Sequence, residues 1–306
     1  MAWYDTLDQK IMEYLPDLPV EKEAPLSRHT SFRIGGPARR MAFPQTREQL
    51  VILLGFAQEC GVEPLVMGNG TNLLIDDAGL DTLVIQTADH MNQIRQVSPL
   101  ELEADAGVSL ARLALFAMQK GLSGLEFAHG IPGSLGGAVC MNAGAYDGEM
   151  KQVVSEVEAL YPDGIRRISG EKADFSYRHS LFSGGAAVVL SACLTLQPGD
   201  PAAIRSKMEE LMARRKKSQP LEYPSAGSTF KRPSGYFAGT LIDQTGLKGL
   251  SCGGAQVSPK HAGFIVNTGD ATFHDVETLI HQVQAAVFKE QGVRLEPEVK
   301  IIRREK

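Results

Sequence analysis

Gly130-Ile131-Pro132-Gly133-Ser134-Leu135-Gly136-Gly137-Ala138-Val139-Cys140-Met141-Asn142-Ala143-Gly144-Ala145-Tyr146 holds five glycines and no charged side chain. A surface connection of this length ordinarily carries Asp, Glu or Lys. Glycines this dense mark backbone that comes very close to something or adopts positive φ. For any one glycine a tight turn is the plainer account. For the whole run a backbone cradle around a ligand accounts for more of the pattern.

A second glycine element lies upstream. Pro64-Leu65-Val66-Met67 reads as a short strand and runs into Gly68-Asn69-Gly70-Thr71-Asn72-Leu73-Leu74-Ile75. It lacks the third glycine of the dinucleotide fingerprint and the Gly-Lys-Ser/Thr of a P-loop. A loop of small and amide residues can still offer successive N–H groups to a phosphate. Two such cradles suit one extended, phosphate-bearing ligand, and a dinucleotide such as FAD fits.

Composition narrows the classes. The chain has 306 residues, enough for two or three domains. Hydrophobic content of 43% and charged content of 22% describe an ordinary globular protein. A net charge of −5 argues against a nucleic-acid surface. The basic run Arg214-Arg215-Lys216-Lys217 ends a predicted helix, where the dipole favours cations. Cys60, Cys140, Cys193 and Cys252 lie far apart with no CxxC pair, so neither a metal site nor a disulfide framework is expected. Reduced thiols point to the cytoplasm. The N-terminus has no apolar signal core, and no apolar run reaches the roughly 18 residues of a membrane span.

Helices and strands alternate along the chain. Residues 1–27 read as an amphipathic lead-in with Ile11, Met12 and Leu15 on one face. Thr46-Arg47-Glu48-Gln49 is a capping box, with Leu50, Leu53, Leu54 and Ala57 at helical spacing and Gly61 as the stop. A strand follows at 82–86. Ser109 caps a helix carrying Leu110, Leu113, Ala114 and Ala117, which Gly121 ends. Strands are predicted at 153–161 and 187–196, with Asp163-Gly164 as a hairpin turn. Asp200-Pro201 starts a helix bearing Ile204, Met208, Leu211 and Met212. A Pro-, Ser- and Gly-rich loop spans 219–239, and strands are predicted at 263–267 and 293–302. Between those two strands, 272–291 is a strong helix with Val276, Leu279, Ile280, Val283 and Val287.

A third polar element is Pro224-Ser225-Ala226-Gly227-Ser228-Thr229-Phe230-Lys231-Arg232-Pro233. Ser228 has no Gly-x-Ser-x-Gly elbow and no histidine close by, so a hydrolase nucleophile is poorly supported. A loop that binds an anionic substrate and a turn rich in hydroxyls both remain open. Arg178, in Phe175-Ser176-Tyr177-Arg178-His179-Ser180, and Glu298, in Leu295-Glu296-Pro297-Glu298-Val299, read singly as surface charges.

Taken in order, these elements resemble the UDP-N-acetylenolpyruvoylglucosamine reductase family. The resemblance runs from His29-Thr30-Ser31-Phe32-Arg33-Ile34-Gly35-Gly36-Pro37-Ala38 through Gly68–Leu74, Gly124-Leu125-Glu126-Phe127 and Gly130–Ala145. It continues through Ser176-Tyr177-Arg178, Ala226-Gly227-Ser228 with Phe230-Lys231, and Gly263-Phe264-Ile265-Val266-Asn267, and ends at Glu298-Val299. It implies an α+β protein with a two-part FAD-binding domain of the vanillyl-alcohol-oxidase (PCMH) type and a C-terminal substrate domain. The expected layout is a lead-in over 1–32, an FAD domain over 33–198 in halves 33–87 and 88–198, and a substrate domain over 199–306. The last strand has the option of packing back on the FAD domain.

The resemblance further implies a noncovalent FAD, NADPH as reductant, and reduction of UDP-N-acetylglucosamine enolpyruvate to UDP-N-acetylmuramate in peptidoglycan precursor synthesis. Arg178 and Glu298 match the groups that stabilise the enolate-like charge, and Ser228 matches the proton donor. The acid of this family directly precedes the valine, which selects Glu298 over Glu296. Cofactor contacts are implied at Arg33, Gly35, Gly68, Asn69, Gly70, Thr71, Asn72, Leu73, Gly130, Ile131, Pro132, Gly133, Ser134, Gly136, Gly137, Asn142 and Gly144. Substrate contacts are implied at Lys231, His261 and Asn267. Thr71 stands where Ser is common, and Arg232 stands where Asn is frequent. The tyrosine-bearing loop of one subclass is lacking, so the chain resembles the shorter subclass. A monomer is compatible with the sequence, and neither a nucleic acid nor a membrane is expected as partner. The alternatives are another FAD-dependent oxidoreductase on the same scaffold and a non-catalytic nucleotide-sugar-binding protein.

Overall fold

A computed structural model describes residues 2–304. By packing, the chain divides into two compact units. The first takes the chain up to Lys22, Arg40–Asn69 and Thr82–Arg214. The second takes Glu23–Arg39, Gly70–Asp81 and the chain from Arg215 onward. This division differs from the one expected at 33, 88 and 199. The reason is apolar burial: Phe32, Ile34 and Leu74 sit in one core with residues of the C-terminal section.

In the first unit a five-stranded antiparallel sheet runs in the order Gly164–Ser169, Val154–Tyr161, Val188–Thr195, Glu101–Asp105, Ile94–Ser98. The hairpin turn is shifted by one residue from its expected place. Gly164 is already paired with Tyr161, so Pro162-Asp163 forms the two-residue loop and Gly164 takes φ +130°. Helix Leu110–Gln119 is capped by Ser109, whose Oγ accepts the Arg112 N–H at 3.3 Å. Its buried Leu110, Leu113, Ala114 and Ala117 follow the helical spacing and join the core of Leu102, Ala104, Val157 and Leu194. Each fully buried leucine contributes roughly 2 kcal/mol of transfer free energy.

A second core in this unit gathers Leu7, Ile11, Leu50, Leu53, Ala57, Leu83 and Ile85. Helix Trp3–Tyr14 buries Leu7 and Ile11, while Met12 is 73% exposed. The expected apolar face therefore turns by about one residue, with Leu7 taking the place of Met12. Thr46 Oγ1 accepts the Gln49 N–H and caps helix Arg47–Glu59. The Gln49 side chain reaches back to the Gln45 N–H at 2.7 Å, one residue before the residue a capping box would reach. Arg47, first in that helix, binds Asp105 at 2.7 Å and Glu103 at 2.6 Å. Burial pushes the Glu103 carboxyl up, but Arg47 and Arg95 outweigh it and hold it below the usual range. Strand Leu65–Met67 lies parallel to its partner in register Leu65↔Val84, Val66↔Ile85, Met67↔Gln86.

The second unit is built on helix Phe273–Gln291, whose Val276, Leu279, Ile280, Val283 and Val287 are buried. Thr272 and Asp275 form a reciprocal capping box, and Gly292 closes the helix at φ +68°. Strands Ser251–Cys252, Ala255–Val257 and Ile265–Asn267 form an antiparallel sheet. The expected strand over 293–302 is broken. Only Lys300–Ile302 is regular, and it pairs in parallel with Leu73–Ile75. Pro297 bridges Phe230 instead, because a proline cannot donate to a continuous ladder.

Candidate cofactor and active site

Gly68, at the start of the upstream glycine element, meets Ser134 of the downstream run within the first unit. A Cβ on Gly68 would stand 2.0 Å from Ser134 Oγ, so the absence of a side chain there is what allows the approach. Ser134 precedes helix Leu135–Met141 but makes no cap bond with its side chain. Leu110 N–H donates to Gly133 O at 2.9 Å, and Leu135 and Gly136 N–H donate to Val108 and Ala106 carbonyls, each at 2.8 Å. Those bonds use the first donors of the short helix. Gly137 N–H has no acceptor among the described residues. Other glycines of the run have packing duties. A Cβ on Gly136 would lie 2.9 Å from Ala106 Cβ, and one on Gly144 would lie 2.7 Å from Gly148 O.

At this meeting point two polar atoms are buried without a partner among the described residues, Asn69 Oδ1 and Ser134 Oγ, and His129 Nδ1, just before the glycine run, is buried in the same condition. Ser134 is 2% exposed. Buried polar atoms are nearly always hydrogen-bonded, so orphans on both sides of one glycine approach fit a polar ligand seated there. The donor set suits a dinucleotide phosphate: a hydroxyl, a backbone N–H and small residues that let the backbone close in. His129 was missed in the sequence. The available signal was a titratable ring placed immediately before a charge-free glycine run. Burial pushes its pKa down.

Arg178 also belongs to the first unit. Ser176 and His179 exchange backbone bonds at 3.1 and 3.2 Å, closing a turn with Tyr177 and Arg178 at its tip. Arg178 takes φ +55°, a left-handed conformation unusual for arginine. Its Nη2 donates to Gly144 O at 3.3 Å. Asn142, fully buried with φ +42°, donates through Nδ2 to Ser176 O and Glu149 Oε2, each at 3.0 Å.

Ser228 and Glu298 lie together in the second unit. Glu298 N–H donates to Thr229 O at 2.8 Å and Lys231 N–H donates to Glu296 O at 2.9 Å, so the two segments pair around Phe230 and Pro297. Thr229, next to Ser228, is locked from both sides. Its N–H donates to Gly263 O at 2.8 Å, and its Oγ1 accepts the Ile265 N–H at 3.0 Å. Gly227, at φ +75°, makes the turn before Ser228. Asn72 Nδ2 donates to Glu298 O at 3.0 Å, and Ser31 Oγ donates to Ser225 O at 2.6 Å. Glu296 and Glu298 flank Pro297, and Lys231 pairs with Glu296 at 3.6 Å. That pair is exposed and contributes little to stability.

The remaining candidates separate by what their side chains already do. Asn267 is 4% exposed, and its amide is spent on backbone: Nδ2 donates to Phe32 O and Oδ1 accepts the Gly269 and Ala271 N–H groups. His261 Nδ1 accepts the Gly263 N–H at 3.1 Å, which leaves the ring proton on Nε2. Burial pushes this histidine toward the neutral form. Gly35 is wedged between Leu26 and Ile75, with a Cβ placed 3.1–3.2 Å from theirs. Arg33 is exposed at φ +57°. Gly70 O accepts the Ser31 N–H at 3.1 Å, and Leu73 pairs with Lys300. Among the described residues no cluster of His, Cys, Asp and Glu could hold a metal ion, and no helix is long and apolar enough to cross a membrane.

This fold and cradle define an FAD-binding flavoprotein: residues 38–169 match the model of an FAD-binding domain. Residues 219–302 match the C-terminal domain of UDP-N-acetylenolpyruvoylglucosamine reductase. Curated reductases of that name are 47% identical in Caldanaerobacter subterraneus, covering 97% of this chain and 98% of the relative, and 48% identical in Pediococcus pentosaceus, covering 98% and 100%. The crystal structure of the Thermus caldophilus reductase superposes with a TM-score of 0.79 at 35% identity, covering 93% of this chain and 98% of that one. The chain belongs to the UDP-N-acetylenolpyruvoylglucosamine reductase family. An alkyldihydroxyacetonephosphate synthase, 16% identical with a TM-score of 0.50 over 64% of this chain and 40% of its own, shares the fold alone.

Proposed function

We propose that the protein reduces the enolpyruvyl ether of UDP-N-acetylglucosamine enolpyruvate to the lactyl ether, with NADPH as reductant and FAD as resident cofactor. The observation that carries this reading is the set of orphaned polar atoms at the Gly68–Ser134 approach, in a chain whose relatives bear that reductase name. When bound, FAD supplies hydride chemistry that no amino-acid side chain can provide. Ser134 Oγ, Gly137 N–H and Asn69 would hold its polar part, with Gly68 giving the room.

The chain's own residues handle charge and protons. Addition of a hydride equivalent to the terminal methylene carbon leaves negative charge on the neighbouring carbon and its carboxylate. Arg178 offsets that charge, and Glu298 acts as an acid. Ser228 Oγ gives its proton to the carbanionic carbon and completes a net gain of two electrons and two protons. A serine hydroxyl is a weak acid, but a carbanion is a stronger base. Ser228 suits the task because Thr229 holds its backbone while no hydrogen bond holds its own hydroxyl among the described residues. Lys231 meets the substrate diphosphate, and neutral His261 offers an Nε2–H donor to a nucleotide-sugar acceptor. Asn267 keeps a structural role in this reading. Reduced cysteines and the precursor substrate suit a cytoplasmic site of action.

The test is NADPH oxidation by the flavin-loaded protein with and without UDP-N-acetylglucosamine enolpyruvate. Substrate-dependent oxidation with UDP-N-acetylmuramate as product is expected. Absence of a substrate-dependent rate overturns the proposal.

A further inference from the structure

We infer that Asn142 is a positioning residue for Arg178 and makes no contact with the cofactor; the inference rests on the reductase reading above. Both hydrogens of its amide and one lone pair of its amide oxygen are taken. One Nδ2 hydrogen goes to Glu149 Oε2, the other to Ser176 O, and Oδ1 accepts the Lys151 N–H at 2.9 Å. The two acceptors and the donor facing it fix which end is nitrogen. A side chain fully buried and so engaged has no hydrogen left for a ligand.

What the amide holds is the base of the Arg178 turn. Ser176 O receives both the His179 N–H and the Asn142 amide. Arg178 holds a left-handed φ that crowds the Cβ of an L-residue, so the turn needs external ties. Asn142 ties the turn backbone, and Gly144 O, two residues further on, takes the guanidinium. Ser180 and Ser183 hydroxyls add a second tie by donating to Cys140 O at 2.9 and 2.5 Å. The glycine segment thereby sets both the backbone and the head of the catalytic cation. A displacement of about 1 Å in such a group costs on the order of 100-fold in rate.

Asn142→Gly tests this directly, because glycine accepts the left-handed backbone without strain while deleting the amide. In the holoenzyme, FAD affinity and flavin reduction by NADPH should stay within about threefold of wild type. Substrate-dependent reoxidation should fall roughly 10- to 100-fold, and in an Arg178→Ala background the same change should add less than about threefold. Amide hydrogen exchange at His179 should rise. Asn142→Asp keeps the shape and the Lys151 bond but faces the Glu149 carboxylate, and it should show the same split. Loss of flavin, a fall of both half-reactions together, full multiplication with Arg178→Ala, or unchanged exchange at His179 would each overturn the inference. A wild-type protein without substrate-dependent reoxidation would sink the reductase reading alone, since the exchange result stands apart from turnover.

Discussion

Ser134→Ala separates a hydroxyl kept for a ligand from one kept for the fold. Ser134 Oγ is buried, has no hydrogen-bond partner among the described residues and gives no capping bond to the helix it precedes. A buried unsatisfied hydroxyl costs about 1–3 kcal/mol. Its removal should therefore stabilise the apoprotein by about 1 kcal/mol, where loss of an ordinary cap would destabilise it by a similar amount. A hydrogen bond from this hydroxyl to a charged phosphate contributes about 1.5–3 kcal/mol, so FAD should bind roughly 10- to 100-fold more weakly. Urea unfolding of the apoprotein and titration of flavin fluorescence read the two effects independently. The signs are opposite, which no general loosening of the fold can mimic. A less stable apoprotein with FAD affinity unchanged would refute the assignment of this hydroxyl to the cofactor.

Ser228→Ala should leave flavin reduction by NADPH nearly intact and slow the substrate half-reaction by about 100- to 10,000-fold, and equal losses in both steps by stopped-flow absorbance would exclude Ser228 as proton donor. Asp8→Asn should cost the first unit about 3 kcal/mol in denaturant unfolding, because Asp8 binds the buried Arg40 guanidinium through two bonds of 2.8 Å; a loss below about 1 kcal/mol would show that cation to be hydrated. Acid should weaken the protein in two stages. Burial lowers the pKa of His129 and His261, so the unfolded chain takes up protons first and stability falls as pH drops below about 6.5. Burial opposes ionisation of Asp8 and Glu103, yet their arginine partners hold both carboxyls low. Their contribution is complete above the ordinary carboxylate range, near pH 4, and is lost as pH falls through the lower folded values. A denaturation midpoint flat between pH 7 and 5 would contradict the histidine stage.

Much of the local structure was legible because it depends on near neighbours. Thr46 and Ser109 cap helices where their spacing says they should, and the buried faces of Leu110–Gln119 and Phe273–Gln291 follow the helical period. The misses have tertiary causes. Met12 lost its place in the core to Leu7 because only packing decides which side of an amphipathic helix faces inward. The predicted strand over 293–302 broke at Pro297, whose partner Phe230 lies far away in sequence. The family resemblance implied a cofactor contact at Asn142 and a substrate contact at Asn267. Their amides turned out to be occupied by backbone and side chains distant along the chain.

By itself the sequence determined that Gly130–Tyr146 needs close backbone approach, since glycine density and the lack of charge are properties of the residues alone. It also ordered the motifs that carry the family resemblance. Tertiary structure alone decided that Gly68 is the residue making room for Ser134, that Glu298 pairs beside Ser228, and that Asn142 serves the Arg178 turn. The physical reason is range: capping and periodicity act over three or four residues, whereas a buried hydroxyl or amide is satisfied by whatever the fold brings within about 3 Å.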